Sequence, residues 1–345
     1  MKVIAKTQPG PGVEIIEREE PTLRPGHVKV RIERGSVCGT DLHIYKWDPW
    51  AAHRIHPPRI IGHEFCGTVV EVADGVSTHQ PGDFIASESH IVCGYCPQCL
   101  AGQGHVCVNT RILGVDVDGG FGAFAVIPSA NARKIPDSIP REAASMLDAV
   151  GNGVHTALAG PVEGRTILIT GLGPIGLFAA AVCRAMGARQ IIGTEVSPYR
   201  LELAKSVGLD RTLNPLTEDV PAALREMAPT GVDATLEMSG HSSSLALAIH
   251  HTRPGGRISL LGVYPDNAHS VDINEIIFKG LDVQGIVGRR LWGTWEQMED
   301  LFVNRGLDIS PIITHHINFR DISSGMETLS QGMAGKIVID FQDAV

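Results

Sequence analysis

Four cysteines lie close together in the first third of the 345-residue chain, with the spacing C-x2-C-x2-C-x7-C. They are Cys93, Cys96, Cys99 and Cys107. Four thiolates complete the tetrahedral coordination of zinc and leave no position for a substrate, so such a site holds a loop together. An iron–sulfur cluster also uses four cysteines, and four unrelated loop cysteines are the alternative without metal. The compact spacing and the glycines of this segment favour a structural zinc ion.

A second set of possible metal ligands comes from two short segments nearer the N-terminus. Cys38 begins Cys-Gly-Thr-Asp, and His63 and Glu64 follow Gly62. A catalytic zinc site uses thiolate, imidazole and carboxylate ligands, and it keeps one coordination position open for substrate or water. A buried cysteine and a turn histidine are the alternative, because two residues so far apart in sequence mean little alone. The adjacent acid and the four-cysteine segment favour a catalytic zinc ion, which makes two zinc ions per subunit.

Residues 171–176 read Gly-Leu-Gly-Pro-Ile-Gly and match the G-x-G-x-x-G pattern of a dinucleotide loop. The three glycines, Gly171, Gly173 and Gly176, follow a predicted strand and open a predicted helix, which is the context that this pattern requires. Glu195 ends the next predicted strand, where a carboxylate binds the ribose hydroxyls of NAD and repels the 2′-phosphate of NADP. Arg200 lies five residues further along the chain. It is either a cofactor contact or a solvated residue of the following helix. We expect NAD rather than NADP.

The elements that position these residues fall into two patterns. Up to about residue 148, short β-branched segments are interrupted by Gly or Pro, which predicts a mostly antiparallel, barrel-like β domain. From about residue 164, strands alternate with helices, which predicts a parallel, doubly wound sheet. We place the first domain at 1–150 and the nucleotide-binding domain at 151–290. Residues 291–345 are expected to return to the first domain.

Composition limits the possible partners and location. The chain is 43% hydrophobic, contains 39 glycines and has a net charge of −9. Without a Lys/Arg-rich run it lacks the basic face that binds nucleic acid. No segment provides the roughly 20 apolar residues of a membrane span, and the N-terminus lacks the apolar core of a signal peptide. We therefore expect a cytoplasmic protein without nucleic-acid or membrane partners, whose cysteines stay reduced.

The three motifs, in this order, resemble the zinc-containing medium-chain dehydrogenase family over essentially the whole chain. The resemblance implies an α/β protein with a GroES-like, mostly-β catalytic domain and a Rossmann domain with a doubly wound parallel sheet, the active site lying in the cleft between them. Several segments resemble the branch of this family that oxidises the β-hydroxyl of L-threonine. These are residues 38–50, 151–157, 237–240, 288–292 and 310–315.

The resemblance also implies roles for individual residues. Catalytic zinc ligands map to Cys38, His63 and Glu64, and the proton relay maps to Thr40, His43 and Asp148. NAD contacts map to Ile175, Glu195, Arg200, Leu261, Gly262, Val263, Ile286 and Val287. His90 matches a histidine associated with the active site, with a loop histidine as its alternative. The family commonly has proline after the acid at position 148, where this chain has Ala149. Whether Asp148 contacts zinc directly or through water therefore stays open.

The reaction that this resemblance implies is oxidation of L-threonine to 2-amino-3-oxobutanoate by a homotetramer, with zinc assisting hydride transfer to NAD. A zinc-dependent polyol or secondary-alcohol dehydrogenase is the nearest alternative. A zinc-free reductase of the same fold would lack the ligands at 38, 63 and 64, and a non-catalytic NAD-binding protein would not need them. Trp47, Trp50 and His90 are candidates for substrate binding by position only.

Overall fold

The computed structural model describes residues 1–265 and 269–344. The chain forms two compact units, which are described separately below. The first unit contains Met1–Ala149 and Ile313–Val345, and the second contains Val150–Ile312.

The N-terminal part of the first unit consists mainly of short strands. These strands are β1 (Lys2–Lys6), β2 (Glu14–Glu17), β3 (His27–Ser36), β4 (Arg59–Ile60), β5 (Phe65–Val72), β6 (Phe84–Ser87), β7 (His90–Ile91), β8 (Arg111–Ile112), β9 (Phe124–Pro128) and β10 (Ala132–Lys134). Four short helices interrupt them: α1 (Gly39–Lys46), α2 (Pro49–Arg54), α3 (Pro97–Leu100) and α4 (Arg141–Ala144).

Strand β3 is the centre of the main sheet of this unit. It pairs antiparallel with β5 and with β9, and the alternating Val28, Val30 and Ile32 are buried in one continuous apolar core. Alternation of this kind is expected where one face of a strand packs inward. The sheet fixes the ends of β3 and β5, and the candidate metal ligands lie at those ends.

The second unit contains the parallel sheet. Its helices and strands are α5 (Leu147–Ala157, which begins in the first unit), β11 (Thr166–Thr170), α6 (Pro174–Ala185), β12 (Gln190–Thr194), α7 (Pro198–Lys205), β13 (Arg211–Leu213), α8 (Val220–Met227), β14 (Val232–Glu237), α9 (Ser242–His251), β15 (Thr252–Leu260), α10 (Ile273–Lys279), β16 (Asp282–Gly285) and α11 (Gly293–Asn304). The strand order is β13-β12-β11-β14-β15-β16. This is the order of a dinucleotide-binding doubly wound sheet, whose ligand site lies where the order reverses, next to β11.

The chain re-enters the first unit at Ile313, whereas the sequence analysis placed the return at residue 291. Helix α11 accounts for the difference, because its side chains Trp295, Met298 and Leu301 are buried and a Cβ on Gly151 of the second unit would lie only 3.4 Å from Met298. The remaining elements are β17 (Ile313–Asn318), α12 (Ile322–Ser330) and β18 (Lys336–Asp340). Strand β18 pairs with β3, which brings the C-terminal segment beside the candidate metal ligands. Among the residues described, no helix is long and apolar enough to cross a membrane.

Candidate active site and metal centres

Cys38 lies just beyond the end of β3, at the N-cap of helix α1. Its backbone N–H donates to the Asp41 carboxylate at 2.9 Å. Asp41 is itself fully buried, and it therefore fixes the turn that presents the Cys38 sulfur. The sulfur lies 3.9 Å from the hydroxyl oxygen of Thr40.

His63 and Glu64 lie immediately before β5, and both are buried. Gly62 explains their position, since its φ is +89° and a Cβ there would lie 2.0 Å from the Phe121 ring. Only glycine combines this left-handed backbone with the close approach of an aromatic ring. The turn at Gly62 thus directs two adjacent polar side chains into the interior.

The ligand atoms of Cys38, His63 and Glu64 lie within 4.8 Å of one another. Burial alone would lower the pKa of His63, but the neighbouring Cys38 and Asp41 raise it to about 10. The influence of these two neighbours on His63 therefore outweighs the cost of its burial. Glu64 Oε1 is buried and has no hydrogen-bond partner among the described residues. A buried carboxylate oxygen without a partner is costly, and a divalent cation would relieve that cost, so the thiol, imidazole and carboxylate together fit zinc.

The other oxygen of Glu64 is held by two partners. Lys336 Nζ and the Ser36 hydroxyl both donate to Oε2, and Lys336 also donates to the Val37 carbonyl at 2.8 Å. Burial raises the pKa of Glu64, but the charges of Lys336 and His63 and the hydrogen bonds from Lys336 and Ser36 together outweigh it, and the net shift is downward. Lys336 lies in β18, far from Glu64 in sequence, and nothing in the local pattern identified it. It keeps Glu64 ionised and fixes which oxygen remains free.

His43 lies on α1, with a partly exposed imidazole whose Nδ1 is hydrogen-bonded to the Asp48 carboxylate. The second oxygen of Asp48 accepts from the Ala51 N–H at 2.9 Å and caps helix α2. The His43 and Trp50 rings meet edge to face with centroids 5.9 Å apart. Asp48 therefore orients His43, a contact that the sequence analysis missed. The only local sequence feature that could have indicated this contact is an acid at the N-cap of α2, followed by proline.

Asp148 groups with two other residues rather than with Cys38, His63 and Glu64. Its carboxylate accepts from the Ser89 N–H at 3.1 Å, and it lies near Glu88 and His90. The Nδ1 atom of His90 lies 3.2 Å from the Glu88 carboxylate. The structure thus places the predicted residues His90 and Asp148 together and adds Glu88, which is fully buried.

The four predicted cysteines come together in one loop, and all seven cysteines of the chain are free. Cys107 Sγ lies 3.6 Å from Cys93 Sγ and 3.8 Å from Cys96 Sγ. Zinc–sulfur bonds of about 2.3 Å in a tetrahedron imply sulfur separations of about 3.8 Å. Hydrogen bonds, the strongest of them from Asn109, lower the pKa of the Cys93 thiol to about 6. The spacing and the thiolate both fit a closed zinc site.

The glycine-rich loop lies between β11 and α6, and Gly171 and Gly176 each have a steric reason. Gly171 has a φ of +86°, and a Cβ on Gly176 would lie 2.1 Å from the Gly171 carbonyl oxygen. Gly173 is the N-cap of α6, with Pro174 at the first helical position and Ile175 following. The loop therefore leaves the amino end of α6 open to an anion such as a pyrophosphate.

Glu195 follows the last residue of β12 and is almost completely buried. One oxygen accepts from the Leu172 N–H of the glycine-rich loop at 3.0 Å, and the other accepts from the N–H groups of Val196 and Ser197. Arg200 lies 3.8 Å from it. Glu195 thus carries a fixed negative charge and also supports the loop itself.

The other predicted NAD contacts lie after β15 and β16. A Cβ on Gly262 would lie 2.2 Å from the Gly240 nitrogen, so Gly262 permits close approach of two loops. Both loops are held by buried Glu237, which accepts from the Gly240 N–H and from Tyr264. The remaining positions are Leu261, which is half-buried, Ile286, which is buried, and Val263 and Val287, which are exposed.

Two family models match the chain. The model described as "Alcohol dehydrogenase GroES-like domain" matches residues 24–137, and the model "Zinc-binding dehydrogenase" matches residues 174–304. The chain belongs to the zinc-binding dehydrogenase family and carries its GroES-like domain. This membership confirms the predicted fold class and enzyme class.

Curated relatives cover nearly the whole chain. An L-threonine 3-dehydrogenase from Pyrococcus horikoshii is 46% identical over 341 residues, which is 98% of each chain. The L-threonine 3-dehydrogenase from Deinococcus radiodurans is 42% identical over 344 residues, covering 99% of this chain and 98% of the relative. The closeness to this branch, which the sequence motifs indicated, is confirmed.

Solved structures share the complete fold. An Escherichia coli short chain alcohol dehydrogenase complexed with the cofactor NADH has a TM-score of 0.90 and 29% identity, and 99% of each chain is covered. The 2R,3R-butanediol dehydrogenase from Bacillus subtilis has a TM-score of 0.87 and 26% identity, covering 98% of this chain and 99% of that one. The predicted cofactors, zinc and NAD, agree with the family description and with the NADH of the first neighbour.

Proposed function

We propose that this protein oxidises the β-hydroxyl of L-threonine to 2-amino-3-oxobutanoate, with NAD taking the hydride and solvent taking the proton. The observation that carries this proposal is the convergence of Cys38, His63 and Glu64 within 4.8 Å, with one carboxylate oxygen left unpartnered. Three ligands leave room for a substrate oxygen, which a four-thiolate site does not. The relatives named L-threonine 3-dehydrogenase supply the substrate.

In this proposal, Cys38, His63 and Glu64 hold the catalytic zinc ion, while the four loop cysteines hold the structural one. When bound, zinc supplies Lewis-acid polarisation of the substrate hydroxyl and NAD supplies the hydride acceptor. Lys336 keeps the Glu64 carboxylate ionised and fixes its orientation. One oxygen of Glu64 would therefore be available to hold the metal.

The proton of the substrate hydroxyl leaves through the chain's own residues. Thr40 lies beside the Cys38 sulfur and passes the proton towards His43, which is partly exposed to solvent. Asp48 binds Nδ1 of His43, which leaves Nε2 as the atom that takes up the proton. An imidazole suits this role because one ring nitrogen can accept a proton while the other donates one. Asp148 and His90 form a second proton-accepting group with Glu88.

The second unit binds NAD through the amino end of α6 and through Glu195. Three backbone N–H groups hold the Glu195 carboxylate, so its charge cannot move away from a 2′-phosphate. Arg200 is too far, at 3.8 Å, to neutralise it by a close hydrogen-bonded pair. Selection of NAD over NADP follows. Ile175, Leu261, Gly262, Val263, Ile286 and Val287 would contact the remainder of the cofactor.

The assembly proposed is a homotetramer in the cytoplasm. Strand β16 is an edge strand of the parallel sheet, and the preceding helix α10 exposes Ile273, Ile277 and Phe278. Exposed apolar side chains beside an open strand edge favour association with another chain. Light scattering coupled to size-exclusion chromatography tests the assembly, and a monomer at micromolar concentration would contradict it. Seven free cysteines suit a reducing compartment.

The test of the function is NADH formation with L-threonine, compared with D-threonine, butane-2,3-diol and sorbitol. We expect a kcat/KM for L-threonine at least about tenfold above each other alcohol. A site that pairs with polar substrate groups rejects the polyols, which lack the ammonium and carboxylate, and D-threonine presents these groups with the opposite configuration. Equal or better activity on a polyol would move the protein to the polyol-oxidising branch.

A variant tests the cofactor assignment separately. Glu195→Ala should weaken NAD binding and narrow the preference for NAD over NADP, because the fixed charge is gone. The matched control is Glu202→Ala, which removes an exposed carboxylate of α7. An unchanged cofactor preference in Glu195→Ala would contradict the role given to Glu195.

A further inference from the structure

The first unit contains a cavity of about 410 Å³ that includes none of the candidate metal ligands or relay residues. Its walls come from β4, β8, β9 and the segment that connects β2 to β3. Small-molecule sites begin at roughly 300 Å³, so the cavity is large enough for a compact metabolite.

The lining of this cavity is rich in arginine, although the protein as a whole has a net charge of −9. Arg18, Arg24, Arg59 and Arg111 line it. The acids that line it are Glu19, Glu20 and Asp118. The cationic character is therefore local to this part of the surface.

Two of the three acids are already engaged. Asp118 accepts from Arg59 at 3.2 Å and from the Ile60 N–H at 3.1 Å, and Glu20 pairs with Lys29 at 2.8 Å. Only Glu19 then remains to oppose the guanidinium groups of Arg18, Arg24 and Arg111. A surplus of positive charge therefore faces the cavity.

Arg59 adds a second observation. Its Nε is buried and has no hydrogen-bond partner among the described residues. A buried donor without an acceptor costs free energy, and guanidinium groups bind carboxylate and phosphate oxygens in a planar, bidentate geometry. Arg59 lines the cavity, so a small rotation of its side chain would bring this donor to an anion held there.

The cavity is separate from the Glu88–His90–Asp148 group. Ile91 and Arg111 are cross-strand partners and both line the cavity, whereas His90 pairs with Ile112. Successive side chains of a strand point to opposite faces, so His90 lies on the other face of this hairpin.

We propose that this cavity binds a small dianion, carrying phosphate or two carboxylates, at a site distinct from the dehydrogenase centre. Arg18, Arg24 and Arg111 supply the charge, and Arg59 supplies an unpartnered donor at the wall. Ile91 and Arg111 of the paired strands β7 and β8 line the site, and β7 also carries His90. An occupant of the cavity would therefore contact the same pair of strands that positions His90.

Titration calorimetry on the zinc-loaded protein, saturated with NADH so that the cofactor site is filled, tests this proposal. The probes are inorganic phosphate and succinate, with acetate at equal ionic strength as the monoanion reference. We expect binding of at least one dianion with one site per chain, and the stronger probe identifies phosphate or carboxylate as the preferred group. Binding of neither dianion overturns the proposal.

Three variants locate the site. Arg18→Gln/Arg111→Gln should weaken binding at least about tenfold, since charge-assisted hydrogen bonds are lost. Glu19→Gln should tighten it, because the one unengaged acid is removed. Arg305→Gln, an exposed arginine paired with Asp300 in the second unit, should leave it unchanged. Equal affinity in all proteins overturns the assignment, and none of these measurements depends on turnover.

Discussion

The four-cysteine loop and the Cys38–His63–Glu64 group lie in the same compact unit, but they differ in how many ligands they offer. The loop supplies four sulfurs, with separations of 3.6 and 3.8 Å around Cys107, which complete a tetrahedron. The other group supplies three ligands of three chemical kinds. The number of ligands thus separates a site that holds the chain together from one that leaves a position for a substrate.

The residues that surround the two sites also differ. Around the loop, the sulfurs accept mainly from backbone N–H groups and from Asn109, which stabilise thiolates. Around the three-ligand group lie titratable side chains: Asp41, Lys336 and, along α1, His43 with Asp48. Groups able to hold or move a proton are therefore concentrated at the open site.

The largest effect should follow from removing a ligand of the open site. Cys38→Ala should reduce kcat/KM for L-threonine by more than about 100-fold, the upper range for residues that only support metal ligands. The melting temperature should change little. The control is Cys183→Ala, which truncates a fully buried cysteine away from both groups. Retention of wild-type activity in Cys38→Ala would show that the open site is not the catalytic one.

The next effect concerns Asp48. Asp48→Asn should lower kcat/KM by about 10–100-fold, as expected for a residue that orients a catalytic group, with NAD affinity unchanged. Asparagine caps helices as well as aspartate does, so α2 should remain folded. Its amide would donate to Nδ1 and favour the wrong tautomer of His43.

Steady-state kinetics of two Asp48 variants distinguishes the orientation of His43 from the folding of α2. Asp48→Ala loses the cap as well and should also lower the melting temperature, whereas Asp48→Asn should not. If Asp48→Asn kept full activity, His43 would need no orienting carboxylate, and the proton path proposed here would lose its central contact.

Removing a ligand of the closed site should affect stability instead of catalysis. Cys107→Ala should lower the melting temperature by several degrees, since loss of a metal site is among the large destabilising changes and 1 kcal/mol corresponds to roughly 2–4 °C. Turnover per folded molecule should stay within about twofold. Differential scanning fluorimetry and active-site titration check both parts, and an unchanged melting temperature with lost turnover would reverse the roles.

The smallest effect is a shift in the titration of Cys93. In zinc-free protein, alkylation of Cys93 should rise with pH about a midpoint near the pKa of about 6, because the thiolate is the reactive form. Asn109→Ala removes the hydrogen bond that stabilises the thiolate, so its midpoint should move up towards about 8.5. Peptide mass spectrometry measures the rates, and Asn304→Ala is the control. Identical midpoints in the two proteins would show that Asn109 does not lower the pKa of the Cys93 thiol.

The sequence predicted those parts of both sites that depend on local spacing. The four cysteines lie within one short segment, and within the glycine-rich loop the Gly171 carbonyl oxygen is enough to explain Gly176. The second unit has the predicted alternation of strands and helices, because such patterns are local as well. The fold class followed from these elements.

Contacts between distant segments could not be predicted in this way. Lys336 reaches Glu64 because β18 pairs with β3, and no local pattern encodes that pairing. Asp48 contacts His43 because α1 ends at Trp47 in a left-handed conformation, with a φ of +56°, which is rare for a large side chain. Likewise, Asp148 joins Glu88 and His90 through tertiary packing.

Stepwise chelation of the wild-type protein tests the difference between the two sites most directly, with bound zinc, NADH formation from L-threonine and melting temperature followed in the same samples. The account predicts that a first equivalent of zinc leaves the open site with loss of activity while the melting temperature holds. The second equivalent should leave the four-cysteine loop only under harsher treatment, together with a fall in melting temperature. Full activity after loss of the first equivalent, or a melting temperature that falls in step with activity, would contradict the account.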